Sequence, residues 1–223
     1  MKTILVLGAT GRTGRLVCKH RPDNAPVYAG LRQASYAEGR RSLPDGADAS
    51  RIVNIDDQTS LSTALEGIDI VINAIRLRDD IAASALVELH QSIVAARDTS
   101  RELYVVHVGG AGALHMEDGR RFWETPGFPA VTLPRGIGHA HLRDYLEQHE
   151  QQCQWAYLIP PPRYVPDGPY QGRYSRIPPG NREQAFLTDG ISYEDFAVAL
   201  VDAVREEWYG VWLIGGGGAA ESS

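Results

Sequence analysis

Lys2-Thr3-Ile4-Leu5-Val6-Leu7-Gly8-Ala9-Thr10-Gly11-Arg12-Thr13-Gly14 is the stretch that decides how this chain folds. Residues 2–7 form an apolar, β-branched run that reads as a buried strand, and a helix is expected over 12–20. Gly8, Gly11 and Gly14 lie three residues apart at the turn between them. Such a turn lets the backbone come close to a large anion, and the helix N-terminus offers N–H groups and the positive end of its dipole to a phosphate. Gly8, Thr10, Gly11, Arg12, Thr13 and Gly14 are therefore candidate cofactor-binding residues.

Working outward, strand patterns recur at 27–31, 51–55, 69–75, 103–108, 155–159 and 211–214. Helical patterns fall between them at 60–66, 79–97, 139–151 and 193–206. In the 79–97 stretch, Ile81, Ala85, Leu86, Leu89 and Ile93 mark one apolar face. Ser192 reads as the N-cap of the last helix. Strands alternating with helices predict an α/β fold, a doubly wound parallel sheet with helices on both faces, extending over 1–214. Residues 160–190 stand apart: prolines at 160–162, 166, 169, 178 and 179 leave no helix there. A long irregular segment after the sixth strand is expected to cover a substrate. A loose Gly/Ala/Ser-rich tail is expected over 215–223.

In an open parallel sheet, ligands bind beyond the carboxyl ends of the strands. The second strand ends in Leu31-Arg32-Gln33, where a cofactor with a free ribose 2′-hydroxyl usually meets Asp or Glu. Arg32 suits a 2′-phosphate instead, and Arg12 can clamp the same group, so NADP is expected rather than NAD. Asp56 and Asp57 follow the third strand, where either one is placed to reach an adenine amino group or to cap the next helix. Asn73, Ala74 and Ile75 end the fourth strand with small groups that let the backbone pass beneath a ribose. Gly109 ends the fifth strand in a second glycine turn, and Pro160 ends the sixth.

Composition excludes several classes. Across 223 residues, 43% are hydrophobic and 22% charged, the net charge is -6, and no basic run stands out, so nucleic acid is not expected as a partner. No segment approaches the roughly 20 apolar residues that span a bilayer. The apolar start breaks at Gly8, too early for a signal peptide. Cys18 and Cys153 form no metal-ligand pattern, and a reduced, cytoplasmic protein without a metal is expected, as monomer or homodimer.

These residues together resemble the atypical short-chain dehydrogenase/reductases, in the group labelled NADH-flavin reductases or NAD(P)H-binding proteins. Beyond the glycine turn, Val108-Gly109-Gly110-Ala111-Gly112-Ala113-Leu114 followed by Thr125-Pro126-Gly127-Phe128-Pro129-Ala130 is similar to the group's strand-five motif and "TPDFPA" segment. Trp155, Gly172-Arg173-Tyr174 and the run at 191–202 resemble its later motifs, in order. The resemblance implies a Rossmann-type fold, a nicotinamide cofactor and reductase activity. The chain also departs from it. Carbonyl-reducing relatives use a Tyr-x-x-x-Lys pair, and here lysine occurs only at Lys2 and Lys19. Leu133 stands where relatives often carry Lys, and Arg76-Leu77-Arg78 is more basic than usual.

Without that pair, hydride placement with a solvent proton suffices for a flavin or quinone acceptor. Alternatively a histidine replaces Tyr. His139, with His141, is expected at the start of the helix that carries the pair in ordinary members, where an imidazole titrates near neutrality and can donate a proton. Arg76 is placed to bind an anionic substrate beside the nicotinamide or to form a surface ion pair. His107 reads as a core histidine, and Tyr164, Tyr170 and Tyr174 as an aromatic wall or as loop packing. The expected activity is NADPH-dependent reduction of a flat conjugated small molecule. An NADP sensor without chemistry and a non-redox cyclase or isomerase on the same fold are the alternatives.

Overall fold

Ile4–Leu7 forms β1, with all four side chains buried. The computed structural model describes residues 1–32, 43–78, 80–180 and 183–217. In chain order follow α1 (Arg12–Lys19), β2 (Val27–Leu31), β3 (Ala49–Ile52), α2 (Gln58–Leu65), β4 (Ile70–Asn73), α3 (Ala85–Ala95) and β5 (Tyr104–Val108). Then come α4 (Leu133–Gln148), β6 (Gln154–Ile159), β7 (Arg163–Val165), β8 (Tyr174–Ile177), β9 (Gly190–Ser192), α5 (Tyr193–Arg205) and β10 (Gly210–Gly216).

The main sheet has the order β3-β2-β1-β4-β5-β6-β10-β8, parallel except for the antiparallel edge strand β8. β1 pairs with β2 on one side and β4 on the other, so the strand order reverses direction there. That reversal opens a crevice at the carboxyl ends. One face of the sheet packs on α1 and α5, with Val17, Cys18, Phe196 and Leu200 against Ile4, Val6, Tyr104 and Val106. The other carries α2, α3 and α4, with Leu61, Leu65, Leu89 and Ile93 against Leu5, Leu7, Val71 and Val105. The strands read as near-continuous apolar runs because both faces are covered. This is the doubly wound α/β fold expected, of Rossmann type.

Several boundaries differ from the expected ones, among them the helix expected over 79–97, which spans Ala85–Ala95. β3 ends at Ile52 because the chain turns at Asn54, and Asp57 accepts from the N–H groups of Thr59 and Ser60 to start α2 at Gln58. Asp56 therefore lies in that turn rather than at a strand end. α4 begins at Leu133, six residues before the expected start. Pro134 sits in the first turn, where its missing N–H is no loss. Gly136 and Gly138 are tolerated inside the helix because their neighbours fill the space. A Cβ on Gly136 would lie 2.5 Å from the Phe128 ring. The 160–190 stretch is not wholly irregular. It holds β7, which pairs with β9, the edge strand β8, and a 3-10 turn at Ala185–Thr188. Gly215 and Gly216 belong to β10 rather than to a tail, and residues 218–223 lie outside those described.

Candidate functional site

The glycine turn is shaped by three different constraints. Gly8 has φ +73°, and a Cβ there would lie 2.7 Å from the Ala74 carbonyl oxygen, so the turn rests directly on the end of β4. Gly14 is buried under Gly8, where a Cβ would lie 2.3 Å from the Gly8 oxygen. Gly11 is exposed and meets only that oxygen, at 3.0 Å, so its outer side is open. The Gly11 N–H donates to the Gly8 carbonyl at 2.8 Å and closes the turn. The first N–H groups of α1, beginning at Arg12 and Thr13, have no acceptor within the helix. This cradle fits a pyrophosphate.

Arg12 and Arg32 are both exposed, at the start of α1 and just beyond β2, the neighbour of β1. Asp56 is exposed past β3. Thr10 lies partly buried in the turn. Thr13 is buried, and its hydroxyl is 2.9 Å from the Tyr164 hydroxyl of β7, which ties the turn to the stretch after β6. Tyr164 stacks on Tyr193 at 3.7 Å, while Tyr174 donates to Asp202 at 2.8 Å and Tyr170 lies exposed near His20. The three tyrosines therefore occupy separate places and form no common wall.

At β5 the glycines make room for side chains. A Cβ on Gly110 would lie 2.4 Å from the His139 ring, and one on Gly109 would meet the Tyr157 ring at 2.9 Å. Pro160 is buried at the end of β6. His139, well inside α4, is brought next to the end of β5 by this packing. Its Nδ1 is 2.9 Å from the Tyr157 hydroxyl, which donates to the His139 carbonyl at 3.1 Å. Both bonds are satisfied together when Nδ1 carries the proton, and Nε2 is then a bare acceptor. Burial, with Arg135 nearby, pushes the His139 pKa down to about 4. That differs from the expectation of an imidazole titrating near neutrality: at pH 7 this ring is neutral. His141 is exposed. Arg76 is exposed beyond β4.

Ala74 and Ile75 lie against Gly8, and the Ala74 N–H donates to Leu7 at 3.0 Å. The Asn73 side chain, however, turns inward. Its Oδ1 accepts from the Ile75 N–H at 3.2 Å, and its amide nitrogen faces His107 Nδ1 at 3.3 Å. His107 Nε2 faces His90 Nδ1 at 3.0 Å, and His90 Nε2 faces Glu150 Oε2 at 2.6 Å. His107 is a satisfied core histidine. His90 and Glu150 were not singled out from sequence, although His90 falls on the apolar stripe of Leu86, Leu89 and Ile93. A histidine at that spacing signals a buried partner. His90, Glu150 and Cys153 bring ligand atoms within 4.8 Å of one another. The direct bond between His90 and Glu150 leaves no room for an ion between those two atoms.

The stretch before β9 is locked to α4. Arg143 donates to Glu183 from both terminal nitrogens, at 2.7 and 2.9 Å, and also to the Ala113 carbonyl at 2.9 Å. The His115 N–H donates to the same carboxylate at 2.7 Å. His115 therefore faces this cluster, and burial with Arg121 and Arg143 lowers its pKa. Among the described residues, no helix is long and apolar enough to cross a membrane.

Comparisons with known proteins agree with this geometry. The sequence pattern of an NAD(P)H-binding family matches residues 8–207. The uncharacterized protein YwnB of Bacillus subtilis is 25% identical over 208 residues, covering 90% of this chain and 91% of that protein. A candidate NADH-flavin reductase from Streptococcus pneumoniae has the same fold, with TM-score 0.78 and 21% identity over 97% of this chain and 100% of its own. A candidate epimerase from Bacteroides thetaiotaomicron matches with TM-score 0.76 and 20% identity over 99% of both chains.

Proposed function

The chain belongs to the NAD(P)H-binding family, and on that premise we propose that it is an NADPH-dependent reductase of a flat, conjugated acceptor such as a flavin or quinone. The observation that carries the cofactor choice is the pair of exposed arginines, Arg12 and Arg32, beside a strand end with no carboxylate in Leu31-Arg32-Gln33. Bound at the glycine turn, the reduced cofactor supplies a hydride. The N–H groups at the start of α1 hold its pyrophosphate, and the arginines hold the 2′-phosphate by charge-assisted bonds. Arg32→Asp is expected to weaken NADPH binding by about a hundredfold while leaving NADH within a few-fold, measured by fluorescence titration of each. Equal loss of both cofactors refutes the assignment of Arg32 to the 2′-phosphate.

On the substrate side, His139 Nε2 is suited to accept a hydrogen bond from the ring N–H of a flavin, which would set the face of the flavin toward the nicotinamide; a quinone, with carbonyl oxygens only, would gain no such bond. The proton that follows comes from solvent, which a flavin or quinone tolerates because its reduced form needs little acid assistance. Arg76 is placed to meet an anionic group on the same edge of the sheet. Since His139 titrates near pH 4, turnover is expected to stay flat from about pH 6 to 8 and to fall only as the ring protonates and Nε2 becomes a donor.

The test is NADPH oxidation against a panel of flavins and quinones. Turnover with one of them supports the reading, and failure to bind either nicotinamide cofactor overturns it. Tight binding without turnover on any acceptor supports the second reading, an NADP sensor, which the missing Tyr-x-x-x-Lys pair favours.

A further inference from the structure

Four buried side chains form one continuous hydrogen-bonded line from the floor of the glycine turn into the interior. Asn73 fixes its direction. Because Oδ1 is taken by the Ile75 N–H, the amide NH2 must donate to His107 Nδ1. His107 then carries its proton on Nε2 and donates to His90 Nδ1. His90 in turn carries its proton on Nε2 and donates to Glu150 Oε2. The other carboxylate oxygen accepts from the N–H groups of Gln152 and Cys153, at 2.5 and 3.2 Å, so the carboxylate cannot rotate freely. Each step of the line joins one donor to one acceptor, and both histidines are neutral. His90 and His107 are 0% and 1% exposed, so water cannot substitute for a lost partner.

We propose that Glu150, His90 and His107 are positioning residues that hold the Asn73 amide, and through it the Ala74–Ile75 backbone under Gly8, in the orientation that binds the cofactor. The inference rests on the cofactor lying at the glycine turn. Its physical content is directional. The bond from Ile75 to Asn73 bends the chain just where Gly8 rests on the Ala74 carbonyl. A flipped Asn73 amide would present NH2 to the Ile75 N–H, donor against donor, and this floor would shift.

The surroundings leave the line isolated. Tyr145 packs edge-on against His90, and Tyr157 lies beside His107 with ring centres 6.5 Å apart. His139 bonds to Tyr157 and not to the line. At the Glu150 end Cys153 lies near Glu150 and within the field of Arg97, and burial raises its thiol pKa to about 12, so it stays a neutral thiol.

Glu150→Gln reverses the line without removing it. The Gln152 and Cys153 N–H groups require the amide oxygen on their side, which turns the new NH2 toward His90 Nε2. His90 must then protonate on Nδ1, His107 likewise, and Asn73 must offer its oxygen to His107 and release Ile75. The experiment is 15N NMR of the histidine rings together with NADPH titration of wild type and Glu150→Gln. The expected result is two Nε2–H rings in wild type, two Nδ1–H rings in the variant, and NADPH affinity lower by about tenfold, the size of one buried hydrogen bond.

A wild-type His107 that is charged or protonated on Nδ1 overturns the proposal before any variant is made. Reversed tautomers with unchanged NADPH affinity overturn it as well. Adding Asn73→Asp to Glu150→Gln gives an acceptor for both His107 Nδ1–H and the Ile75 N–H, and is expected to regain the NADPH affinity lost by the single change. No regain also counts against it. If wild type binds neither cofactor, the reductase reading fails, while the ring tautomers still report whether the line runs as described.

Discussion

Glu183→Gln is expected to lower the folding midpoint by roughly 10 °C, the largest stability loss from any single polar substitution argued for this chain. The carboxylate takes both Arg143 terminal nitrogens and the His115 N–H, and the two charged side chains are 3% and 2% exposed. Removing the Glu183 charge leaves the buried Arg143 with only the more exposed Glu147, 3.2 Å from its Nε, as counter-ion, which costs about 3 kcal/mol, the low end for breaking a buried pair. For a chain of this length each kcal/mol is worth about 2–4 °C. Burial alone would raise the Glu183 pKa, but Arg143 outweighs it and holds the carboxyl below its ordinary value. A depressed carboxyl stabilises the fold above the unfolded value, near about pH 4.3, and that contribution disappears as pH falls through the lower folded value. Thermal melts from pH 7 to pH 3 should therefore show wild type losing its advantage over Glu183→Gln at the acid end. Replacing both partners, Arg143→Met with Glu183→Leu, should recover much of the loss, because no lone charge is left. A double variant as unstable as the single would show that the damage lies elsewhere.

That ion pair shows why part of the molecule could be read from sequence and part could not. β1, the glycine turn and α1 were legible because their reasons are local: an apolar run, a left-handed Gly8 and a helix that starts at once. The parallel sheet was legible because strands covered on both faces are apolar throughout. α4 was misjudged because Pro134, Gly136 and Gly138 look like a break. What makes them acceptable is Phe128, Gly112 and Leu86, which arrive from elsewhere in the chain. The proton state of His139 was not legible for a related reason. Its place near β5 followed from the helix that carries it, but its proton state depends on Tyr157 and on burial. The line from Asn73 to Glu150 joins residues on two strands, a helix and a loop, and no spacing along the chain announces it. Only His90, on a stripe of Leu and Ile, hinted at a buried partner. Likewise Asp195, inside the motif at 191–202, accepts from the Gln171 and Gly172 N–H groups and joins two motifs that sequence shows only as neighbours in order.

Gly14→Ala and Gly11→Ala are expected to separate holding the fold from holding the cofactor. In an ordinary helix, Gly to Ala gains up to about 1 kcal/mol. At Gly14 the new Cβ would sit 2.3 Å from the Gly8 oxygen and 2.8 Å from the Ala9 Cα, and both neighbours are backbone. α1 must move off β1, so the folding midpoint should drop and NADPH affinity should fall by at least about a hundredfold. At Gly11 the Cβ meets protein only at the Gly8 oxygen, at 3.0 Å, and otherwise projects into the opening. The midpoint should change little there, yet NADPH binding should fall by a similar factor, because the methyl group occupies the approach to the α1 N–H groups. The two variants are compared by thermal melting and by NADPH fluorescence titration. A Gly11→Ala protein that binds NADPH like wild type would mean that the turn does not cradle the pyrophosphate. Gly8 would then be explained by its backbone angle and Gly14 by its contact, with Gly11 left without a reason.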